Sequence, residues 1–393
     1  MRKRNLGILA LSATALCAPA NATNTLTAQQ YDQATVALSA MKSLNLITFG
    51  DATLHSDVEG KAYIGGNLNG NGAPVAIGGS KAQNHDAQFR SLTVGGDAGN
   101  VQVNNGIGLS NIEAAVGGNA GGIGINNNGA TATLQVGGNF NAQNFNPTAA
   151  KTARYGATAS GLQVQDLPYV TQDGTIKAGG SADLKAAIAA LTSTYQTDLT
   201  SFSQILGALT PNATLDSGDL NNIHFSFTAD ANNGSYAVAD ITAAQLGSGT
   251  FNLPAYATSA NGKTLIVNVS GTSVTFGANE VGDGSLVQQN IIWNFVDATS
   301  IAVNTAVYGS ILAPKAAITG NSPINGSVVA RLFQSNGEVH LGTFNGNTGF
   351  LVAPPPTNPG VPEPASWMTM LMGFGVIGSR IRARRRQESP AAA

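Results

Sequence analysis

A glycine pair that closes a short apolar segment recurs five times between residues 63 and 140. Glycine and asparagine tolerate positive φ angles, so we expect the chain to change direction sharply at each pair. The first glycines of the copies are separated by 13, 17, 22 and 20 residues. Repeats of about 20 residues are typical of solenoids, in which each repeat adds one layer to a stack. The copies are Ile64-Gly65-Gly66-Asn67, Ile77-Gly78-Gly79-Ser80, Val94-Gly95-Gly96-Asp97, Val116-Gly117-Gly118-Asn119 and Val136-Gly137-Gly138-Asn139.

The repeat predicts a mainly β fold, a parallel β-helix or solenoid-like domain with apolar side chains stacked inside its coils. Phosphate-binding loops are the alternative, but a dinucleotide-binding loop needs a strand before it and a helix after it. Here short strand-like segments stand on both sides of the glycines. Glycine makes up 48 of 393 residues and 42% of residues are hydrophobic, which fits many turns around a packed interior.

Two segments have the spacing of apolar residues that is typical of helices. The weaker one covers residues 27–44, with Thr27 as its expected N-cap. The stronger one covers residues 181–209, with a glycine pair before it and Pro211 after it. We expect this long helix to pack along the side of the solenoid, and a free coiled-coil helix is the alternative. The apolar positions are Tyr31, Val36, Leu38 and Met41, then Leu184, Ile188, Leu191, Tyr195, Leu199, Phe202 and Leu206.

Strand-like segments return between residues 223 and 344, and the turn dipeptides Asn261-Gly262 and Asn325-Gly326 separate several of them. The clearest of these segments are residues 223–227, 265–269, 274–276 and 291–295. A proline-rich stretch, residues 354–361, is expected to be an extended spacer before the C-terminal tail.

The N-terminus has the composition of a secretory signal, which we place at residues 1–22. Three basic residues precede an apolar run of about a dozen residues, shorter than the roughly 20 that a membrane span needs. We expect cleavage after Ala20 or Ala22. An uncleaved anchor and lipoprotein processing at Cys17 are the alternatives. Since Cys17 is the only cysteine, the mature chain is expected to contain no disulfide.

The C-terminus combines a Pro-Glu-Pro tripeptide, an uncharged stretch from residue 365 to 379 and a cluster of arginines. Arginines resist translocation and stay on the cytoplasmic side of the membrane. The tail therefore predicts a stop-transfer helix with the bulk of the chain outside. The tripeptide is Pro362, Glu363 and Pro364, and the membrane-retention arginines are Arg380, Arg382, Arg384, Arg385 and Arg386.

Residues 362–387 resemble the PEP-CTERM sorting signal of Gram-negative bacteria, which has these three parts in the same order. The resemblance implies an exosortase-type enzyme as processing partner and an inner-membrane intermediate with a single span. It also implies a final place at the cell surface or in the extracellular matrix. An ordinary C-terminal membrane anchor is the alternative.

Two blocks of sequence, residues 46–67 and 291–330, resemble the two ends of the choice-of-anchor A domain, an adhesin family with collagen-binding-like relatives. The first block begins Leu46-Ile47-Thr48-Phe49-Gly50-Asp51, and the second contains Tyr308-Gly309-Ser310-Ile311-Leu312-Ala313-Pro314. The resemblance implies one β-helical adhesive domain over residues 23–353, with the helical segment 181–209 inserted in it.

Residues that could carry chemistry are few. The loop at residues 230–234 resembles half a calcium site but lacks the glutamate at the twelfth position, so we expect a turn, with calcium as the alternative. No other cofactor and no enzyme activity are expected, and no Gly-x-Ser-x-Gly elbow occurs. His55 lies near Asp57 and Glu59, where a structural role is expected rather than a metal. No metal-ligand spacing joins the histidines, which are His55, His85, His224 and His340.

Between the signal and the tail the chain carries 11 basic and 19 acidic residues, which excludes a basic nucleic-acid footprint. The leading hypothesis is an exported surface or matrix adhesin that contacts extracellular polysaccharide or a surface protein at many weak points. The alternatives are a polysaccharide-active β-helix enzyme and an ice-binding protein, although regular Thr-x-Thr ranks are sparse.

Overall fold

The computed structural model describes residues 26–81, 86, 88–227, 236–253, 264–281 and 284–355. The chain divides into two units, Met1–Val352 and Ala353–Ala393, and the fold below is that of the first. The predicted signal sequence, the loop at residues 230–234, the dipeptide 261–262, His85 and the sorting tail lie outside the described residues.

Both predicted helices are present. Helix α1 spans Ala28–Ser43 and α2 spans Leu184–Gly207, while a single turn, α3, spans Ala243–Leu246. Thr27 caps α1 as predicted, because its hydroxyl accepts the backbone N–H of Gln30 while the Gln30 side chain accepts the N–H of Thr27.

The apolar stripes of the helices are narrower than the sequence predicts. Val36 is 41% exposed and Leu191 is 37% exposed, so the expectation that they face the core was wrong. In α1 the buried stripe consists mainly of small residues, including Ala34, Ala37 and Ala40, which let the helix approach α2 and face A closely. A small stripe of this kind is not detected by a search for large apolar side chains.

Fourteen short strands lie between residues 46 and 172 of the described chain. They are β1 (Leu46–Thr48), β2 (Ala52–Leu54), β3 (Ala62–Ile64), β4 (Leu68–Asn69), β5 (Pro74–Val75), β6 (Leu92–Val94), β7 (Ala98–Asn104), β8 (Asn111–Val116), β9 (Ala120–Asn126), β10 (Thr131–Val136), β11 (Phe140–Asn141), β12 (Lys151–Tyr155), β13 (Ala159–Ser160) and β14 (Val170–Gln172).

The second half of the described chain contributes the remaining strands. Residues 223–227 were predicted as one strand, but residues 224–227 pair antiparallel with residues 213–216, whereas Ile223 forms a parallel bridge to Phe251. The strands are β15 (Ala213–Asp216), β16 (His224–Phe227), β17 (Tyr236–Thr242), β18 (Thr250–Asn252), β19 (Thr264–Ser270), β20 (Ser273–Phe276), β21 (Asn279–Val281), β22 (Ile291–Asn294), β23 (Ser300–Val303), β24 (Val307–Tyr308), β25 (Ser310–Gly320), β26 (Ile324–Asn325), β27 (Val328–Ser335) and β28 (Val339–His340).

The parallel strands stack into a solenoid with three faces, which confirms the predicted fold class. Face A runs in the spatial order β17, β19, β22, β25, β27, β1, β3, β6, β8, β10, β12, β14. Face B runs β20, β23, β25, β27, β2, β4, β7, β9, β11, β13. Face C contains β24, β26, β28, Val58, β5 and the second halves of β7 and β9.

The described chain enters the stack in its middle rather than at one end. Strand β1 lies between β3 and β27, so the first coil stacks directly on the last coil. We call the contact between β1 and β27 the seam. From the seam the first coils continue to β14. Helix α2 then returns along face A, and the later coils run from β17 back to β27. The two blocks that resemble the ends of one domain, residues 46–67 and 291–330, therefore lie on neighbouring coils.

Helix α2 spans most of the length of face A, since 24 residues extend about 36 Å. Near its N-terminus it contacts the coil of Gly117 through Lys185. In its second turn the carbonyl of Ile188 accepts the Tyr63 hydroxyl at 3.1 Å, and near its C-terminus the carbonyl of Leu206 accepts the side-chain amide of Asn268 at 3.2 Å.

Apolar side chains are buried in two layers, one inside the coils and one between face A and the helices. Inside the coils, Trp293 packs edge-to-face on Phe276 with ring centroids 5.6 Å apart. The outer layer joins face A side chains such as Ile292 and Val329 to residues of α1 and α2 such as Phe202. The prediction that the long helix packs along the side of the solenoid is confirmed.

The glycine pairs form the corners between faces A and B, but not for the expected reason. None of the glycines at 65, 66, 95, 96, 117, 118, 137 and 138 has a positive φ. A Cβ on Gly95 would instead lie under 3.0 Å from the carbonyl oxygen of Gly65, and one on Gly117 would meet Gly95 in the same way. Close stacking of backbones, rather than backbone conformation, requires the first glycine of each pair.

One of the five repeats is not part of this corner. Strand β3 pairs directly with β6, so the corner at Gly65 stacks on the corner at Gly95 with no layer between them. Gly78 has a φ of +85° and lies against Gly106, away from the other pairs. The intervals of 13 and 17 residues therefore belong to a single long coil, a correction to the predicted repeat.

Candidate functional site

Face B is a long surface of short, outward-facing side chains. In its central column, each residue pairs in register with the next across ten successive strands. At the usual strand spacing of about 4.8 Å, the column is roughly 43 Å long. Its residues, in spatial order, are Thr275, Ala302, Thr319, Gln334, Thr53, Asn69, Gly99, Gly121, Asn141 and Ser160.

A ladder of Asp and Asn side chains follows the glycine pairs along one edge of face B. The backbone N–H of Asn67 donates to Asp51 Oδ1 at 2.7 Å, and the N–H of Asp97 donates to Asn67 Oδ1 at 2.9 Å. The same bond joins Asn119 to Asp97 at 2.7 Å and Asn139 to Asn119 at 2.9 Å. These bonds fix the position of each coil relative to the next.

The ladder also explains why the second residue of each pair at this corner is glycine. A Cβ on Gly96 would lie under 3.0 Å from Asn67 Oδ1, and a Cβ on Gly118 would meet Asp97 Oδ1. The motif Gly-Gly-Asx is thus one stacking unit, in which two glycines make room for a backbone carbonyl and a side-chain oxygen of the neighbouring coil.

The opposite edge of face B is rich in amides as well. The side-chain amide of Asn336 donates to Asn321 Oδ1 at 2.6 Å, and that of Asn71 lies 3.3 Å from His55 Nδ1. His55 is therefore part of this polar edge, and its structural role stays a prediction.

The central column presents an electrically neutral surface. None of its ten residues is charged or aromatic, and the nearest carboxylates in the described ladder at its edge are those of Asp51 and Asp97. Face A is covered by α1 and α2, whereas of the described helices only the single turn α3 lies against a strand of face B, the terminal strand β20. Face B is thus a long, uncharged and uncovered surface that suits repeated hydrogen-bonding contacts.

The other predicted chemistry-bearing residues are dispersed. His340 Nε2 lies 2.5 Å from Glu338 Oε2 on face C, and its Nδ1 lies 2.9 Å from Asn325 Oδ1. Burial raises the pKa of the nearby Asp57 carboxyl, and the charge of Glu338 adds to this effect. Among the described residues no group of three or more His, Cys, Asp and Glu side chains could hold a metal ion.

Glu59 and His224 have local partners too. Glu59 Oε2 accepts the backbone N–H of Leu341 at 2.6 Å, which ties the first coils to the last. His224 Nε2 lies 3.6 Å from Asp216 Oδ2 across the β15–β16 hairpin. The sorting residues Pro362, Glu363 and Pro364 and the five arginines lie outside the described residues.

Sequence reasoning missed face B, because its residues come from segments as distant as Gln334 and Thr53, which are register partners. The only local sign was the polar residue between two buried positions of very short strands, as in Ala52–Leu54. Of the helices in the described chain, each is either too short or too polar to cross a lipid bilayer.

The sequence matches two known families. The Ice-binding-like adhesive domain matches residues 37–133 and 113–341, and the PEP-CTERM protein-sorting motif matches residues 360–386. Neither family is enzymatic. No curated protein matches the sequence.

A crystal structure of an ice binding protein from an Antarctic bacterium, Flavobacteriaceae, is similar at 11% sequence identity and a TM-score of 0.19, over 77% of this chain and 97% of that chain. The two matches to the adhesive domain together span residues 37–341, which is most of the 393 residues. This chain therefore belongs to the ice-binding-like adhesive domain family, and it carries a PEP-CTERM protein-sorting motif.

Proposed function

We propose that this protein is an exosortase-sorted surface adhesin whose face B contacts extracellular polysaccharide. The observation that carries the proposal is the uncovered, uncharged column of ten stacked residues on face B. Seven of the ten stacked positions carry a polar side chain, so the column supports many weak contacts at once, and their combined avidity exceeds the affinity of any one contact. A surface protein is the other partner class that the adhesive family leaves open.

We further propose that the chain is a choice-of-anchor A type adhesin with a domain at residues 23–353, a spacer at 354–361 and a sorting segment at 362–387. The signal at residues 1–22 is removed on export. The arginine cluster holds a single-pass intermediate in the inner membrane until the exosortase acts near Pro364, and the mature adhesin functions in biofilm.

Adhesion is tested with beads that carry the full-length chain and with films of the producing bacterium's own polysaccharide. The variant Thr319→Lys/Gln334→Lys/Thr53→Lys places three charges on adjacent coils of face B, and we expect bead retention to fall about tenfold. The matched control, Ser193→Lys/Thr194→Lys/Thr197→Lys, adds three lysines to exposed positions of α2. Equal retention of both variants would exclude face B as the contact surface.

Sorting is tested by mass spectrometry of the mature C-terminus. We expect the wild-type protein to end near Pro364 and the variant Glu363→Ala to retain the arginine cluster. A mature wild-type protein that still contains residues 365–393 would contradict processing by an exosortase.

Ice binding is the second candidate, and the regular register and neutrality of the central column of face B favour it. Three of the ten column residues are threonines, namely Thr275, Thr319 and Thr53. Thermal hysteresis of the full-length chain, compared with the triple-lysine variant of face B, distinguishes this function from adhesion. Hysteresis that is lost in the face B variant would favour ice binding.

A further inference from the structure

A second candidate site lies beside the last turn of α2, away from the central column of face B. A cavity of about 590 Å³ opens between the helix end and strands β17, β19 and β22. Its volume is within the range of roughly 300–1,000 Å³ that is usual for small-molecule pockets. The residues that matter for its chemistry are Gln204, Asp240, Asn268, Asn294, Val296 and Asp297.

The floor of this cavity is a directed chain of hydrogen bonds. Ser203 Oγ donates to Asn294 Oδ1 at 2.6 Å, and Asn294 Nδ2 donates to Asn268 Oδ1 at 2.8 Å. Asn268 Nδ2 then donates to Asp240 Oδ1 at 3.1 Å. The chain runs from the buried helix face to an exposed carboxylate, so it ends on an acceptor.

The two asparagine side chains in this series of hydrogen bonds donate all of their amide N–H groups within the protein. Asn294 Nδ2 also donates to the carbonyl of Ser203 at 2.9 Å, and Asn268 Nδ2 also donates to the carbonyl of Leu206 at 3.2 Å. A side-chain amide has two N–H bonds. The floor therefore keeps no amide N–H for an anion, and the lone pairs that it offers to a ligand are those of the half-buried Asn268 and the exposed Asp240, since Asn294 is fully buried.

The charge around the cavity also disfavours an acidic ligand. None of the described residues that line it is basic, whereas Asp240 and Asp297 are both acidic. Lys315 Nζ lies 3.1 Å from Asp297 Oδ1, but this pair is exposed and therefore weak. The C-terminal end of α2 adds a partial negative charge. An acidic ligand is disfavoured, and a ligand rich in hydroxyl or amine donors is favoured.

An apolar wall completes the site. Val296 is half-buried, and the end of α2 packs so tightly on it that a Cβ on Gly207 would lie 2.7 Å from Val296 Cγ2. A sugar ring presents hydroxyl groups at its edge and C–H groups on its faces, which matches acceptors on the floor and a valine on the wall.

We propose that this cavity binds a sugar unit that carries hydroxyl or amine donors and no acid group. The inference rests on the proposed contact with polysaccharide, since it names the kind of polymer that the adhesin can hold. It adds a discrete site, with Asp240 as the terminal acceptor, to the extended surface of face B.

Isothermal titration calorimetry of the full-length chain in detergent tests the inference with three tetrasaccharides, made of neutral hexose, glucosamine and uronic acid. We expect the neutral and amine-bearing probes to bind and the uronate probe not to bind. Gln204→Trp, which fills the cavity from an exposed helix position, is expected to weaken binding at least about tenfold. Gln196→Trp places the same side chain two turns earlier on α2 and is expected to leave binding unchanged.

Asp240→Asn keeps the acceptor for Asn268 but removes the charge, so we expect it to weaken the glucosamine probe more than the neutral probe. Preferred binding of the uronate probe, equal binding by Gln204→Trp and Gln196→Trp, or no binding of any probe would overturn the inference. Binding of Ca²⁺ alone that Asp240→Asn abolishes, without sugar binding, would overturn it too. If bead adhesion persists in these cases, the adhesive function stands without the cavity.

Discussion

The side-chain amide of Asn45 donates to the backbone carbonyl of Gly326 at 2.8 Å, although 281 positions separate the two residues in the chain. The same amide donates to the carbonyl of His340 at 3.1 Å, and Asn45 Oδ1 accepts the N–H of Gly60 at 2.9 Å. One fully buried side chain thus joins the first coils of the described chain to the last coils.

Replacement of Asn45 by alanine should therefore weaken the seam. Two backbone carbonyls and one backbone N–H would lose their hydrogen bonds to this buried side chain, and we expect the free energy of unfolding to fall by about 3 kcal/mol. Urea denaturation of the full-length chain measures this change. Asn69→Ala, at an exposed position of face B, is the control and should change stability by less than about 0.5 kcal/mol. A similar effect of both variants would show that the seam does not depend on Asn45.

The two kinds of glycine on neighbouring coils should respond differently to alanine. Gly95→Ala places a Cβ against the carbonyl oxygen of Gly65, and we expect a loss of about 2 kcal/mol in the free energy of unfolding. Gly121→Ala is the matched control, because nothing lies within 4 Å of its Cβ position. That variant should be neutral or more stable by up to about 1 kcal/mol, since alanine restricts the unfolded chain. Equal losses would contradict the stacking explanation.

Tyr63 links face A to the first half of α2. Its hydroxyl bonds to Thr192 Oγ1 at 2.8 Å as well as to Ile188, its ring packs edge-to-face on Tyr195, and burial raises its pKa to about 12. We expect Tyr63→Phe to reduce the free energy of unfolding by about 1 kcal/mol and Tyr63→Ala to reduce it by about 3–5 kcal/mol. Amide hydrogen exchange of α2 should accelerate in the same order. Unchanged exchange in Tyr63→Ala would contradict a role in holding the helix.

The carboxyl of Glu280 should make stability depend on pH. Burial raises its pKa from 4.5 to about 8, while the N–H of Tyr308, which donates to Oε2 at 2.7 Å, partly opposes this shift. The folded state therefore binds a proton that the unfolded state has lost. The stabilising contribution is complete below about pH 4.5 and disappears as the pH rises through about 8.

Denaturation midpoints between pH 5 and pH 8.5 measure this effect in the wild-type chain and in Glu280→Gln, which keeps an acceptor for Tyr308. We expect the wild-type midpoint to fall across this range and the variant to lose most of that slope. A residual slope is expected at the acidic end, because burial also raises the pKa of Asp57 and Asp198. A variant with the full wild-type slope would exclude Glu280 as the titrating group.

Several elements follow directly from local sequence. Thr27 with Gln30 is a capping box that can be read from the chain, and the long stripe from Leu184 to Leu206 identifies α2 because its spacing does not depend on what the helix contacts. The exposed Leu191 shows the limit of such reasoning, since a helix buries only the residues that face its partner.

The glycine pairs were located correctly but explained wrongly. Their positions indicated corners, whereas the reason for glycine is a carbonyl oxygen on the neighbouring coil, and that neighbour is identified only by the stacking order. The pair at Gly78 has the same local sequence and a different role, because it lies on a different part of one long coil.

Local sequence was sufficient to predict a solenoid with glycine-pair corners, two helices and a C-terminal sorting motif, because each depends on residues close together in the chain. Only the folded chain shows that β1 stacks on β27, that Thr53 stands beside Gln334 on face B, and that Asp240, Asn268 and Asn294 line one cavity. Parallel coils stack through backbone hydrogen bonds that any residue can make. Local sequence can therefore define a coil, but only the packing of the whole chain selects its neighbours.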